Sequence, residues 1–186
     1  MGNFYNNITL KTSDVDRVIG VLEANQCNAY VLPVEEAVVV FDQACDEQII
    51  PLEPLTALLS RELSTSAMAV YDHDDDILGY LLYTNGAKVD AYDSRPGYFE
   101  GNDLPPAGGD AGLLSAALGS PASKDAIQAI LHPAKLPLLA FEQHTQLVTA
   151  LGLPKGAVGS GFRYLSDPPE RGRGDFATLR KVGSAP

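Results

Sequence analysis

The chain holds 186 residues, with 13 Lys plus Arg against 24 Asp plus Glu, a formal charge of −11. An apolar content of 45% excludes a wholly disordered chain, and the acid excess excludes a generic nucleic-acid binder, which needs cations to neutralise phosphates. The length suits one domain whose core needs no disulfide or metal to hold it.

Phe4–Lys11 alternates Tyr5, Ile8 and Leu10 with polar residues and predicts a strand. Ser13 is a candidate N-cap, with Asp14 and Asp16 in the first turn of a helix over Asp14–Asn25 whose apolar stripe is Val15, Val18, Ile19 and Leu22. Ala29–Leu32 is a short strand ended by Pro33 and a turn at Glu35-Glu36. Ala37–Phe41 is a β-branched run suited to a strand buried on both faces. Pro54 suits a first helical turn, and Leu55, Leu58, Leu59 and Leu63 mark the helix after it. Ala67–Tyr71 and Ile77–Thr84 are strands joined through an acidic turn. Asn85-Gly86 then predicts a tight hairpin, and Lys88–Tyr92 the returning strand.

This order, β-α-β-β-α-β and two more strands, predicts an α+β fold. Its core is a ferredoxin-like split β-α-β unit, extended to a mainly antiparallel six-stranded sheet with both helices on one face. A Gly-, Pro- and aromatic-rich connector follows over residues 94–109. Three helices come next, capped by Asp110 and Ser123 and closed by Gly152-Leu153-Pro154. Ala157–Leu165 reads as a loop or short strand. The expected organisation is a sheet domain over 1–110, a helical segment packed on it over 111–166, and a flexible tail over 167–186.

Charge divides along the same line. Residues 1–110 hold 19 acids and five bases, or −14, and residues 111–186 hold five acids and eight bases, or +3. No apolar run approaches the ~20 residues of a membrane span. Met1–Asn25 lacks the apolar block of a signal peptide, and Asn6 stands where the myristoylation pattern wants Ser or Thr. The expectation is a cytoplasmic protein with no membrane association. Cys27 and Cys45 belong to no Cys-x-x-Cys pair and read as free thiols.

Asp72-His73-Asp74-Asp75-Asp76 is the most conspicuous run, because carboxylates this close repel unless a cation or basic partner compensates. A calcium loop would need Gly at its sixth position and Glu at its twelfth, where this run has Ile77 and Tyr83. A zinc site would need more His or Cys, so no metal is expected. The plain reading is a solvated turn, and the sharper one a partner surface. Asp90, Tyr92, Asp93, Arg95, Tyr98, Phe99 and Glu100 form a second constellation at a strand end and loop, where binding groups gather. The plain alternative is a loop pinned by its own aromatics.

Other candidates carry less. Glu35 and Glu36 would point to opposite faces of a strand. Glu142 and His144, two apart on a helix, do not face each other, and His132 near a helix end reads as structural. Gly159-Ser160-Gly161 lacks the spacing and context of a nucleophile elbow. No phosphate-binding Gly loop is present. Arg171-Gly-Arg173-Gly is a weak echo of single-strand-binding RGG segments. No catalytic residue and no cofactor is expected.

Several stretches belong together: Met1-Gly2-Asn3-Phe4-Tyr5, His73-Asp74-Asp75-Asp76, Asp93-Ser94-Arg95-Pro96-Gly97-Tyr98-Phe99, Leu104–Asp110, Leu151-Gly152-Leu153-Pro154 and Ala157-Val158-Gly159. The set resembles a family of bacterial proteins that open with the same Met-Gly-Asn-Phe-Tyr and have no established activity. That resemblance implies a single bacterial, cytoplasmic unit up to about Leu165, in which the acidic turn and the Arg95–Phe99 loop belong together. It supplies no catalytic residues.

The function expected is therefore a non-catalytic intracellular binding protein. Its acidic surface would engage a basic protein partner through Asp72, His73, Asp74, Asp75, Asp76, Tyr92, Asp93, Arg95, Tyr98 and Phe99. By analogy, a small acidic bacterial protein suits an immunity or antitoxin role. The alternative is a small-ligand site or enzyme built on Asp72–Asp76 and Arg95. A homo-oligomer paired through the free sheet edge is a third reading.

Overall fold

A computed structural model describes residues 2–102, 104–134, 139–166 and 176–183. Eight strands among these residues form one sheet: β1 (Phe4–Leu10), β2 (Ala29–Val34), β3 (Ala37–Asp42), β4 (Ser66–His73), β5 (Ile77–Thr84), β6 (Ala87–Asp93), β7 (Ala107–Gly108) and β8 (Arg180–Val182). Their spatial order is β7-β6-β5-β4-β1-β3-β2-β8, and every neighbouring pair is antiparallel. The sheet is thus α+β and antiparallel as expected, but eight strands wide rather than six.

The helices are α1 (Val15–Ala24), α2 (Gln43–Asp46), α3 (Leu52–Glu62), α4 (Ala111–Leu118), α5 (Lys124–Leu131), α6 (Ala140–Leu151) and α7 (Phe162–Ser166). The two-residue alternation of a strand sends β4 residues to opposite layers. Ala67 and Ala69 join Ile8, Leu10, Val38 and Val40 beneath α1 and α3. Met68 and Val70 join Leu78, Tyr80 and Leu82 beneath α4, α5 and α6. On that second face, β2 and β3 present Leu32, Val39 and Phe41 to Ala157, Phe162 and Leu165. The sheet is therefore covered on both sides, which is why Ala37–Phe41 lacks a polar face. Each fully buried Leu or Phe contributes about 1.5–3 kcal/mol.

Between the two clusters of the second face runs the polar side of β1. Asn7 Nδ2 donates to Ala157 O (2.7 Å) and Ser160 O (3.0 Å), pinning the loop ahead of α7 across the central strand. The same parity places Tyr5 there.

Local chemistry explains the departures from expectation. Asp14, not Ser13, caps α1, because its carboxylate accepts from Arg17 N. β2 runs through Pro33 to Val34, since Pro33 lies beyond the stretch that β8 covers, Ala29–Val31. Asp42 caps the four-residue α2, and Ala157–Leu165 becomes a turn and α7 rather than a strand. Asp110 and Ser123 cap α4 and α5, and Gly152 closes α6 at φ 65°, all as read.

Of the expected tail, residues 167–175 and 184–186, with Arg171 and Arg173, lie outside the described residues. Residues 180–182 are no loose tail but the edge strand β8. Val182 is buried beside Ala29, and Lys181 Nζ sits 4.3 Å and 4.1 Å from the Tyr30 and Phe162 ring centroids. At the other edge β7 covers only Tyr92 and Asp93. Ala91 O still accepts Gly109 N at 2.9 Å, while Ala87–Asp90 has no strand partner on that side among the described residues, and Lys88 there discourages strand addition. No helix among the described residues is long and apolar enough to cross a membrane.

Candidate functional site

The acidic run forms the β4–β5 turn. Asp74 and Asp75 take left-handed conformations (φ 57° and 61°), which Asp tolerates better than most side chains, in a three-residue loop between the paired His73 and Ile77 where Asp76 N donates to His73 O at 3.0 Å. Each carboxylate then finds a donor in its own chain. Asp74 Oδ1 accepts Gly2 N at 2.9 Å, and Asp75 Oδ1 accepts Asn3 Nδ2 at 2.8 Å. Gly2 is required by this approach, since a Cβ there would lie 2.1 Å from Asp74 O. Ala140 N, opening α6, donates to Asp75 O at 2.8 Å. The tip is thus a junction of the N-terminal strand, α6 and the β6–β7 loop.

Asp76 makes the loop connection. It accepts Arg95 Nη1 at 3.1 Å and Tyr98 Oη at 2.9 Å, and the Arg95 guanidinium lies 4.9 Å from the Tyr98 ring centroid. Asp93 Oδ1 accepts Arg95 N and shapes the start of the loop. A row of aromatic edges runs from Phe4 to His73 (4.8 Å), His73 to Phe99 (5.1 Å) and Phe99 to Tyr98 (5.4 Å). His73, Asp74, Asp75, Asp76, Asp93, Arg95, Tyr98 and Phe99 are therefore brought together.

Two of the expected contact residues point inward. Tyr92 is 3% exposed, stacks on Tyr80, donates to Leu131 O at 2.6 Å and accepts Gln143 Nε2 at 2.8 Å. It belongs to the core beneath α5 and α6 rather than to the surface. Asp72 is 2% exposed, because β4 parity sends it to the same side as Met68 and Val70. Its Oδ1 accepts Asp75 N at 3.0 Å, while Oδ2 has no hydrogen-bond partner.

Beside Asp72, Tyr5 occupies the paired position on β1. Tyr5 Oη and the fully buried His144 Nδ1 share a 2.6 Å hydrogen bond, and His144 Nε2 is unpartnered. Burial pushes the Asp72 carboxyl up to about 7, helped by the nearby charge of Asp75. Burial pulls the His144 imidazole down to about 3. At mildly acidic pH these shifts favour a protonated Asp72 and a neutral His144. The Tyr5–His144 bond ties β1 to α6, and all three side chains are buried.

Sequence reasoning missed a groove on the opposite face of the hairpin. It encloses about 390 Å³ between Phe4, Ile49, Ile50, Leu52, Tyr71 and His73. Its available signal was Ile49-Ile50-Pro51, an apolar pair in an otherwise polar connector. A larger groove of about 980 Å³ separates the β2–β3 turn from Leu153–Gly156. Glu35 and Glu36 sit in that turn, with Glu36 paired to Lys11 at 3.1 Å. The thiols are quiet, since burial raises Cys27 to about 11 and Cys45 further. Among the described residues no three His, Cys, Asp or Glu side chains are grouped to hold a metal ion.

Comparison with protein families, characterised proteins and solved structures finds no match to this chain.

Proposed function

We propose that the protein is a non-catalytic intracellular binding protein whose acidic half engages a basic protein partner. The observation that carries this reading is uncompensated charge. Up to residue 110, the described residues hold 18 acids (19 less Asp103) and five bases. Five of those acids, Asp16, Glu36, Asp46, Glu62 and Asp76, have an ion-pair partner, and Asp42 and Asp72 are buried, which leaves 11 carboxylates outside the core with no ion-pair partner among the described residues. Such a surface steers a cationic partner and rejects an anionic one. An immunity or antitoxin role fits this chemistry by analogy.

The framework beneath that surface we infer to be ferredoxin-like. Strand order β4-β1-β3-β2 supports this, as does the placement of α1 and α3 on one face. The reading of Asp72–Asp76 with Arg95 as a small-ligand or catalytic site draws on the raised Asp72 carboxyl. It is the weaker of the two, because Asp72 is enclosed and Arg95 is committed to Asp76.

Native mass spectrometry of the protein recovered from its host cells tests the proposal. The expected result is a complex with a basic protein that dissociates near 1 M salt, where screening acts over ~3 Å. Asp74→Lys combined with Glu100→Lys should weaken it. Recovery of the free chain alone, or of a complex indifferent to both salt and charge reversal, refutes the reading.

A further inference from the structure

We infer that the groove between the α2–α3 connector and the β4–β5 hairpin is the docking site for the apolar face of a cationic amphipathic segment of the partner. This rests on the acidic-surface reading above and names what that surface receives.

The first ground is where apolar side chains stay in water. Seven large hydrophobic residues among those described are exposed: Ile49, Ile50, Val89, Phe99, Leu104, Leu113 and Leu139. Two of them, Ile49 (70% exposed) and Ile50 (40%), line this groove, and a third, Phe99 (72%), packs edge-on against His73, which lines it as well. An apolar patch rimmed by polar groups marks an interaction surface more often than scattered exposed residues do.

The second ground is that the isoleucines are held outward by fixed backbone. Gln48 takes a left-handed φ of 58° and turns the chain out of α2. Ile49 N and Ile50 N both donate to Ala44 O, at 2.8 and 3.2 Å. In a helix end of this kind the residue at the Ile49 position ordinarily folds back to cover the last turn. Here it stays in solvent. A prearranged anchor of this sort loses little freedom on binding.

The third ground is charge, which selects the occupant. Exposed acids adjoin the groove residues in the chain, Glu47 before Gln48, Glu53 after Leu52 and Asp74 after His73, and the exposed Glu100 follows Phe99. The nearby cations are spent, Arg95 on Asp76 and Arg163 on the buried Asp46, each at 3.1 Å. An apolar floor inside an acidic rim fits a segment whose Leu, Ile or Phe side chains are flanked by Lys or Arg. It disfavours a second copy of this chain, which carries −11.

The test uses fluorescein-labelled synthetic peptides: a Lys/Leu amphipathic helix, a Lys/Ser peptide of equal charge, and a Glu/Leu counterpart. Anisotropy gives the affinities and amide NMR the site. The Lys/Leu peptide should bind at least tenfold tighter than Lys/Ser, and Glu/Leu should not bind. The surface variant Ile49→Ser with Ile50→Ser, and separately Phe99→Ser, should weaken Lys/Leu binding tenfold or more. Leu113→Ser, exposed elsewhere, should leave it unchanged. Shifts should centre on Ile49, Ile50, His73 and Phe99.

Salt-sensitive binding of both Lys peptides that ignores the groove variants, or that shifts another face, overturns this inference and leaves the acidic-surface reading standing. Absence of binding by either Lys peptide overturns both. A dimer in sedimentation that Ile49→Ser with Ile50→Ser dissolves would make a second copy the occupant and overturn the choice of a cationic segment. Native circular dichroism of each variant separates lost binding from lost folding.

Discussion

The opposed shifts of the buried Asp72 and His144 give a test with a sign as well as a size. The Asp72 carboxyl is raised from its ordinary 3.8 to about 7. Its contribution to stability is therefore full below about 4 and is lost as pH rises toward 7. The His144 imidazole is lowered from 6.5 to about 3, so its contribution is full above about 6.5 and is lost as pH falls toward 3. Between about pH 4 and 6.5 the unfolded chain has Asp72 ionised and His144 protonated, whereas the folded chain has the reverse. Each state then holds one proton on the pair, and the two slopes cancel.

Removing either member uncovers the other. A slope of one proton is about 1.4 kcal/mol per pH unit. From about pH 4.5 to 6, the stability of Asp72→Asn relative to the parent should therefore rise by about 2 kcal/mol, and that of His144→Asn should fall by a similar amount. Comparing each variant with the parent at both pH values removes the fixed cost of the substitution and the titration of every other group. Urea unfolding followed by circular dichroism gives the four differences. Two changes of the same sign, or changes below about 0.5 kcal/mol, would refute the placement of the proton on Asp72.

Four further outcomes can be checked. Arg163→Ala leaves Asp46 buried with its Oδ1 already unpartnered, and should cost about 2 kcal/mol in urea unfolding at neutral pH, with part of the loss rescued by adding Asp46→Asn. Gly152→Ala puts a Cβ on a left-handed residue and should cost about 1 kcal/mol, read as a fall in Tm of about 2–4 °C. Asp76→Ala removes the acceptor for Arg95 and Tyr98; global stability should change by less than about 1 kcal/mol, since the Asp76–Arg95 pair is part-exposed, while hydrogen exchange accelerates at Tyr98–Asn102. Native Cys27 and Cys45 should react with a disulfide reagent at neutral pH far more slowly than in guanidinium, because burial raises both thiols.

What the sequence made legible was whatever repeats often enough to show a period. The six longer strands and five longer helices announce themselves by alternation, by apolar stripes, or by caps such as Asp110 and Gly152. The elements that escaped are those whose hydrogen bonds are settled by tertiary contact. β7 has two residues, β8 three and α2 four, too short for any period. β8 exists because Val182 fits beside Ala29 and Lys181 lies over Tyr30 and Phe162, partners about 150 and 20 positions away.

The candidate site was legible in location and misjudged in direction. Its residues were chosen by type, and type does not say which way a strand residue faces. Parity does. Asp72 follows Met68 and Val70 at two-residue spacing, which places it on the side beneath α4–α6. His144 precedes Leu147, Val148 and Leu151 at helical spacing, which places it on the buried stripe of α6. An acid and a histidine that each fall on an apolar register are either errors of assignment or a buried pair. The register of β1 on β4 sets Tyr5 beside Asp72, and the Tyr5 hydroxyl bonds His144, so both fall in one buried polar cluster. The same parity sends Tyr71 and His73 to the other face, where with Ile49 and Ile50 they line a groove open to solvent. One strand end thus carries a closed polar junction on one side and an open apolar one on the other. An acidic run that reads in sequence as a single feature is, in the fold, two.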